Sequence, residues 1–296
     1  MLLLLIACAP ELVPLVSVAD SGSIWDLTVD ETGAPVGFLG GRDDGMDDFT
    51  FRWDGETLRT DIDGWLVPGA GGDAWVLGYD DTYARLVAGE PQAPIEPPSA
   101  FSLVGVPYGG GGDTLYSIAN AWDALAVYRD GGWSLASLEG DVSWISLLAA
   151  SPAGVAVQIG GDRVVWVGSD GVGTELIDGI GVARVAISRG QDVLAIFEPE
   201  SWRPGSPTLW RLGPDGAEPL VSVGSTTALA ASDDEVWVAI PAGGPNEGLY
   251  VWRGLQLEKI DLPFWPEDPR MAATPRGTLY VAQGGELSNR VLMELR

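Results

Sequence analysis

Short apolar segments recur along the whole chain, and turn residues separate each segment from the next. The clearest unit covers residues 226–263, in which segments 227–231, 235–239, 248–253 and 257–262 each have the length of one strand. The side chains of segment 235–239 alternate with a period of two, which is typical of a β-strand. Because turn-forming residues connect the four segments, the pattern predicts a four-stranded antiparallel meander.

The same order of segments returns about every 40 residues, the period of a propeller blade. The second strand of the unit occurs seven times, at residues 36–39, 74–77, 114–117, 155–158, 193–196, 236–239 and 279–282. Asp-Gly pairs at 54–55, 130–131, 170–171 and 215–216 indicate hairpin turns. Over residues 11–296 the chain resembles β-propellers in general. This resemblance implies an all-β, seven-bladed β-propeller with four-stranded antiparallel blades. The signatures of WD, Asp-box and kelch propellers are missing from the sequence, so no activity is implied.

The last unit supplies only three strands of its own, at residues 271–275, 279–282 and 291–295. Near the other terminus, residues 14–18 (PLVSV) repeat residues 219–223, which form the fourth strand of the fifth unit. We therefore expect the N-terminal strand to complete the last blade and to cover its unpaired edge. Residues 14–296 would then form one propeller domain.

A leucine-rich stretch precedes the single cysteine of the chain. Leu5-Ile6-Ala7-Cys8 resembles the lipobox of bacterial lipoproteins. The resemblance implies that residues 1–7 are a signal segment, that Cys8 carries the lipid, and that residues 8–13 form a short tether. The protein would then be lipid-anchored in the bacterial cell envelope, in the outer membrane, the periplasm or at the cell surface. Alternatively, the stretch is a frayed apolar strand with a buried cysteine. No later segment has the roughly 18 consecutive apolar residues of a membrane-spanning helix.

The charge and the missing residue types exclude several functions. Sixteen basic residues against 42 acidic ones give a net charge of −26, which disfavours nucleic acids and anionic membrane surfaces as partners. We therefore expect membrane contact only through the N-terminal lipid. The chain has no histidine, so a Ser–His–Asp triad and a Cys–His pair are excluded. We expect a monomer without a cofactor.

The longest predicted loops fall on one face of the propeller. We call this the top face; it carries the loops between second and third strands and the connections between blades. The long top loops are 42–48, 120–123, 198–207, 241–248, 263–270 and 283–289, whereas the bottom connections 31–34, 151–154 and 189–191 are short. Long loops on a rigid scaffold commonly bind partners. The candidates for partner binding are Asp43, Asp44, Asp47, Asp48, Trp122, Trp202 and Trp265.

The acidic candidates have two alternative interpretations, and the aromatic candidates are limited to loops. Asp43, Asp44, Asp47 and Asp48 are a weak candidate for a calcium site, and the alternative is a solvated acidic turn. The tryptophans and tyrosines of the second and third strands are interpreted as fillers between blades, which leaves loop aromatics as binding candidates.

The sequence thus leaves two functions open. The main hypothesis is a non-catalytic scaffold that binds a protein or a glycan through its top face. The alternative is a carboxylate-dependent glycan hydrolase or lyase on the same face. Two or more carboxylates converging with Trp or Arg in a deep central pocket would favour the enzyme, whereas carboxylates scattered over the rim would favour the scaffold.

Overall fold

The computed structural model describes residues 10–19, 23–40, 48–70, 73–120, 122–140, 142, 144–199, 206–241, 246–266, 268–284 and 290–296. Over this part of the chain the strands form seven four-stranded antiparallel sheets, arranged as the blades of one propeller. The predicted all-β, seven-bladed fold is confirmed. In the same described ranges, no helix is long and apolar enough to cross a membrane.

The strands follow one another blade by blade, except for the first. Strand β1 (Leu12–Ala19) belongs to blade 7; blade 1 contains β2 (Ser23–Val29), β3 (Pro35–Gly40), β4 (Phe49–Trp53) and β5 (Leu58–Ile62); blade 2 contains β6 (Trp65–Pro68), β7 (Ala74–Leu77), β8 (Tyr83–Val87) and β9 (Glu90–Pro91); blade 3 contains β10 (Leu103–Gly111), β11 (Thr114–Ala119), β12 (Ala124–Arg129) and β13 (Gly132–Leu135). Blade 4 contains β14 (Ile145–Ser151), β15 (Gly154–Ile159), β16 (Arg163–Gly168) and β17 (Gly173–Ile177); blade 5 contains β18 (Ala183–Arg189), β19 (Asp192–Phe197), β20 (Thr208–Gly213) and β21 (Gly216–Ser222); blade 6 contains β22 (Ala228–Ala231), β23 (Val236–Ile240), β24 (Gly248–Trp252) and β25 (Leu257–Ile260); blade 7 contains β26 (Asp268–Ala273), β27 (Leu279–Gly284) and β28 (Arg290–Leu295), followed by β1.

The top loop expected over residues 241–248 is one residue shorter because β24 begins at Gly248. Two further top loops differ from the sequence-based expectation. The loop expected over residues 263–270 ends earlier because β26 already begins at Asp268. The loop expected over residues 283–289 begins later because β27 runs to Gly284. One physical cause explains both differences, since Asp268 pairs with Gly284 and so extends the ladder towards the top face.

The N-terminal strand closes the ring, as the repeat of residues 14–18 predicted. Strand β1 pairs antiparallel with β28, from Leu12 opposite Leu295 to Ala19 opposite Arg290. The side chain of Val18 is buried in a core cluster with residues of blade 1, and Leu15 and Val16 pack against that cluster. Because β28 runs from the top face to the bottom face, its antiparallel partner β1 begins at the bottom.

Aromatic residues of the second strands fill the spaces between blades, as expected. Trp75 packs with Leu115 of blade 3, and Trp166 packs with Val193 and Phe197 of blade 5. Trp237 packs with Met271 and Val281 of blade 7, and all three tryptophans are buried. Trp166 belongs to a third strand, so the interpretation as fillers holds for both strand types.

Arginines on the third strands, or directly after them, pair with acidic residues on or near the bottom face. Arg52 Nε lies 2.6 Å from Asp30 Oδ2, and this pair is buried. Arg85 pairs with Asp73 and Arg253 pairs with Glu235, again at 2.6 Å. Each pair lies within one blade, and for the buried carboxylates of Asp30 and Asp73 the arginine compensates the cost of desolvation.

Candidate functional site

A groove of about 840 Å³ opens on the top face between blades 1, 2 and 3. We call it the top-face groove. Aromatic rings and carboxylates dominate its lining, together with small apolar residues. Its aromatic residues are Trp25, Phe38, Trp65, Tyr83 and Phe101, and its acidic residues are Asp26, Asp48 and Asp81.

A β-bulge in the first strand of blade 1 directs two successive side chains towards solvent. The register of β2 against β3 shifts between Ile24 and Asp26, so Trp25 is the extra residue. A regular strand would place neighbouring side chains on opposite faces of the sheet, and the bulge breaks this alternation. As a result the side chains of Trp25 and Asp26 are both exposed, and 57% of the Trp25 surface is accessible to solvent.

Trp65 lies on the neighbouring blade at the same level. It is the first residue of β6, where the chain enters blade 2 from the top face, and 49% of its surface is exposed. The ring of Phe38, near the upper end of β3, packs against it with centroids 6.3 Å apart and planes inclined by 56°. This tilted contact restricts the orientation of the Trp65 indole.

Asp26 lies where the groove meets the central channel, and it lines both cavities. Surrounding protein raises the pKa of its carboxyl group above the ordinary 3.8, and the nearby charge of Arg270 partly opposes this effect. The side chain still reaches water through the two cavities. Burial raises the pKa of Tyr108 to about 12, and the charge of Asp26 contributes to the same shift.

Arg270 is the cation nearest to Asp26, and other groups already bind its guanidinium. Its Nε donates to the carbonyl of Trp25 at 2.8 Å, and its Nη1 lies 2.7 Å from Asp268 Oδ1. The first contact fixes the backbone of the bulge. The second neutralises much of the arginine charge beside the groove.

The other two carboxylates of the groove lie at the upper ends of third strands. Asp48 precedes β4, and its carbonyl accepts a hydrogen bond of 3.0 Å from the hydroxyl of Tyr79. Asp81 precedes β8 in a turn with φ of 62°, and its N–H donates to the carbonyl of Gly78. No Lys or Arg is among the described residues that line the groove. The groove is therefore acidic as well as aromatic.

The central channel, of about 600 Å³, has a different character. Small residues of the first strands form much of its wall, including Ala149, Ala186, Ala230 and Ala272. Asp26 near the top and Asp233 at the bottom are the acidic residues of the described lining. A converging pair of carboxylates, which the hydrolase or lyase hypothesis requires of the central pocket, is therefore not formed there by the described residues.

A stacked pair of tryptophans forms a second aromatic feature of the top face. The rings of Trp122 and Trp144 lie 5.6 Å apart with planes inclined by only 14°. Their φ angles are 79° and 57°, in a region that bulky residues seldom occupy. Trp122 packs against the core between blades 3 and 4, whereas 66% of the Trp144 surface is exposed.

The sequence candidates are dispersed over the top face. Asp48 lines the groove, Trp122 lies beside blade 4, and Trp265 packs against the core of blades 6 and 7, where its indole donates to the carbonyl of Ile240 at 3.1 Å. Four candidates and the lipidation residue lie outside the described residues: Asp43, Asp44, Asp47, Trp202 and Cys8. The described residues contain no group of three or more acidic or cysteine side chains placed to hold a metal ion.

Sequence reasoning missed the main residues of the groove. Its residues Trp25, Asp26, Phe38, Trp65 and Asp81 were not among the candidates. One feature of the sequence did indicate this site. The middle of β2 carries Trp25 followed by Asp26, whereas the equivalent positions of β14 carry Leu147 and Leu148. Because first strands line the central channel, a large ring beside a carboxylate on such a strand indicates a binding site.

Comparison with known proteins identifies the fold. No protein-family model matches the sequence, and no curated protein matches it. Among solved structures, a catalytically inactive histidine-to-alanine form of virginiamycin B lyase from Staphylococcus aureus, with quinupristin, aligns with a TM-score of 0.63 at 11% identity, over 97% of this chain and 98% of that one. The RRP9 WD40 repeats align with a TM-score of 0.63 at 14% identity, over 97% and 98% of the two chains. Oligogalacturonate lyase from Vibrio parahaemolyticus aligns with a TM-score of 0.63 at 10% identity, over 95% and 92%. At such identities the similarity establishes a shared β-propeller fold.

Proposed function

We propose that the protein is a non-catalytic scaffold that binds a protein or glycan partner in the top-face groove. The observation that carries this proposal is the pair of exposed tryptophans, Trp25 and Trp65, at the rim of a preformed groove. Large exposed aromatic residues beside a cavity are typical of interaction sites, because they bury much apolar surface when a partner binds. The propeller ring holds both residues on strands, so little order must be gained on binding.

The residue types of the chain support a role without catalysis. The virginiamycin B lyase form with one histidine replaced is catalytically inactive, and the present chain has no histidine at any position. The channel carboxylates lie on different blades, Asp26 in the middle of β2 and Asp233 in the bottom turn between β22 and β23. Other propellers of the same fold, such as the RRP9 repeats, are WD40 proteins.

We further propose that a lipid on Cys8 presents the protein in the bacterial cell envelope. Strand β1 begins with Leu12 at the bottom face, so residues 12 and 13 belong to the blade and the tether after Cys8 would be only residues 9–11. Three residues span at most roughly 11 Å when fully extended. The bottom of the propeller would therefore lie close to the bilayer, and the groove would face away from it.

A pull-down from the native envelope tests the binding role. The immobilised propeller is compared with a Trp25→Ala/Trp65→Ala variant and with Leu255→Ala, which removes a residue that is 94% exposed in a bottom turn. We expect the wild type and Leu255→Ala to retain the same partner and the double variant to lose it. Equal retention by all three proteins would contradict the proposal, and release of shortened glycans by the wild type would favour the hydrolase or lyase alternative.

A further inference from the structure

We propose that the occupant of the top-face groove is a basic segment of a partner protein, whose ammonium or guanidinium groups lie between the tryptophans and the carboxylates. This inference rests on the proposed binding function and specifies the chemistry of the partner. It follows from three properties of the groove: its aromatic walls, its carboxylates without an ion-pair partner among the described residues, and its size.

The aromatic walls offer ring faces to a cation. Trp25 and Trp65 stand on adjacent blades and are both about half exposed, so their π-faces are available from solvent. A cation over the face of a tryptophan is stabilised by the ring quadrupole, most strongly when it is partly desolvated. Phe38 supports Trp65 from the side and helps to keep its ring in place.

The charge of the groove distinguishes a basic partner from a neutral or acidic one. Asp26, Asp48 and Asp81 contribute three carboxylates, and none of them forms an ion pair with another described residue. The nearest cation, Arg270, is already paired with Asp268. A neutral glycan would use the tryptophans but would leave the three carboxylates without a counter-charge, and an acidic partner would be repelled. The net charge of −26 also steers cations towards the molecule.

The size of the groove favours a segment over a single small cation. Its volume of about 840 Å³ is large for one ammonium group, which would leave most of the lining uncovered. The carboxylates are also distributed over two blades, with Asp48 beside β4 and Asp81 beside β8. Several basic side chains on one peptide can reach these positions at once.

The test measures binding of a fluorescein-labelled Ala-Arg-Ala-Arg-Ala-Arg-Ala peptide by fluorescence anisotropy at physiological salt. A second peptide carries citrulline in place of arginine, which keeps the shape and removes the charge. We expect the citrulline peptide to bind at least about tenfold more weakly, and Trp25→Ala or Trp65→Ala to weaken the arginine peptide by about three- to tenfold, the range of one cation–π contact.

A pair of triple variants separates the groove from general electrostatic attraction. Asp26→Asn/Asp48→Asn/Asp81→Asn removes the carboxylates of the groove, and Asp130→Asn/Asp170→Asn/Asp215→Asn removes three from bottom turns with the same change in net charge. We expect at least about tenfold weaker binding for the groove variant and less than twofold change for the bottom variant. Thermal melting of each variant checks that the fold is retained.

Any other result contradicts the inference, and the pattern of binding shows which alternative holds. Equal losses for the two triple variants would show attraction by net charge alone. Tetramethylammonium binding as tightly as the peptide would identify a small cation as the occupant. If the arginine and citrulline peptides bind equally, or if only a neutral oligosaccharide binds in a manner that requires Trp25 and Trp65, the basic-segment inference fails while the proposed binding function stands.

Discussion

The ion pair between Arg52 and Asp30 provides a quantitative test of how the blades are held together. Asp30 is completely buried, and its Oδ1 also accepts hydrogen bonds from the N–H groups of Thr32 and Ala34. Arg52 lies on β4, the third strand of the same blade, and contacts Gly89 of blade 2 so closely that a methyl group there would meet its Cδ at 2.3 Å. The pair therefore links one bottom turn to the next blade. Substitution Arg52→Ala removes the counter-charge and opens this contact.

The expected cost follows from the burial of Asp30. Removing one partner of a buried ion pair leaves an uncompensated charge and costs about 3–5 kcal/mol. Since domains are stable by only about 5–15 kcal/mol, this loss is a large part of the total. For a chain of this size each kcal/mol lowers the melting temperature by roughly 2 °C, so Arg52→Ala should lower it by roughly 6–10 °C.

Urea denaturation followed by tryptophan fluorescence measures the effect, with Arg253→Ala as the matched control. Arg253 pairs with Glu235 at the same distance of 2.6 Å, but 54% of the arginine side chain is exposed. The control should therefore cost less than about 1 kcal/mol. Asp30→Asn introduced together with Arg52→Ala should recover part of the loss, because the buried charge is then gone. Equal small losses for Arg52→Ala and Arg253→Ala would refute the reasoning.

Three further predictions address closure, anchoring and pH. Deletion of residues 1–18 removes the pairing partner of β28 and exposes Leu292 and Met293. The melting temperature should therefore fall by roughly 5–10 °C. An unchanged melting curve would contradict the closure of the ring by β1. Cys8→Ser should abolish incorporation of radiolabelled fatty acid and release the protein from membranes, whereas unchanged membrane fractionation would rule out the lipid anchor. The pKa of Asp26 is raised because the surrounding protein desolvates its carboxyl group, and the charge of Arg270 opposes this shift. Tyr108 is a further titratable group that interacts with Asp26. Acidification therefore protonates Asp26 before carboxyl groups with the ordinary pKa of 3.8. The affinity for the arginine peptide should consequently be high above this raised pKa and should fall as the pH drops through it. Asp26→Asn should remove this pH dependence. An identical pH profile for the two proteins would exclude Asp26 from the site.

The blade repeat was predictable because strand periodicity and turn chemistry are local properties. The strand at 74–77 was predicted with its observed bounds, and the pairing of residues 14–18 with the last blade followed from their likeness to residues 219–223. Each of these signals is contained in a few adjacent residues. The propeller fold could therefore be predicted from strand periodicity, turn residues and repeated segments, without knowledge of contacts between distant residues.

The groove was not predictable in the same way because it depends on contacts between blades. The bulge at Trp25 is a register shift against β3, and a single strand does not reveal its register. The meeting of Trp25, Trp65 and Asp81 also requires the relative rotation of blades 1 and 2. Loop position was a useful guide to the top face, but the principal aromatic residues lie on strands rather than in loops.

Hydrogen–deuterium exchange of the propeller, with and without a partner captured from the envelope, tests the central claim most directly. The account predicts slower exchange in the bound state around residues 24–26, 65–67 and 78–83, which border the top-face groove. It predicts no change in the bottom turns at 130–131, 170–171 and 215–216. Protection confined to those bottom turns, with unchanged exchange along the groove, would contradict the assignment of the binding site.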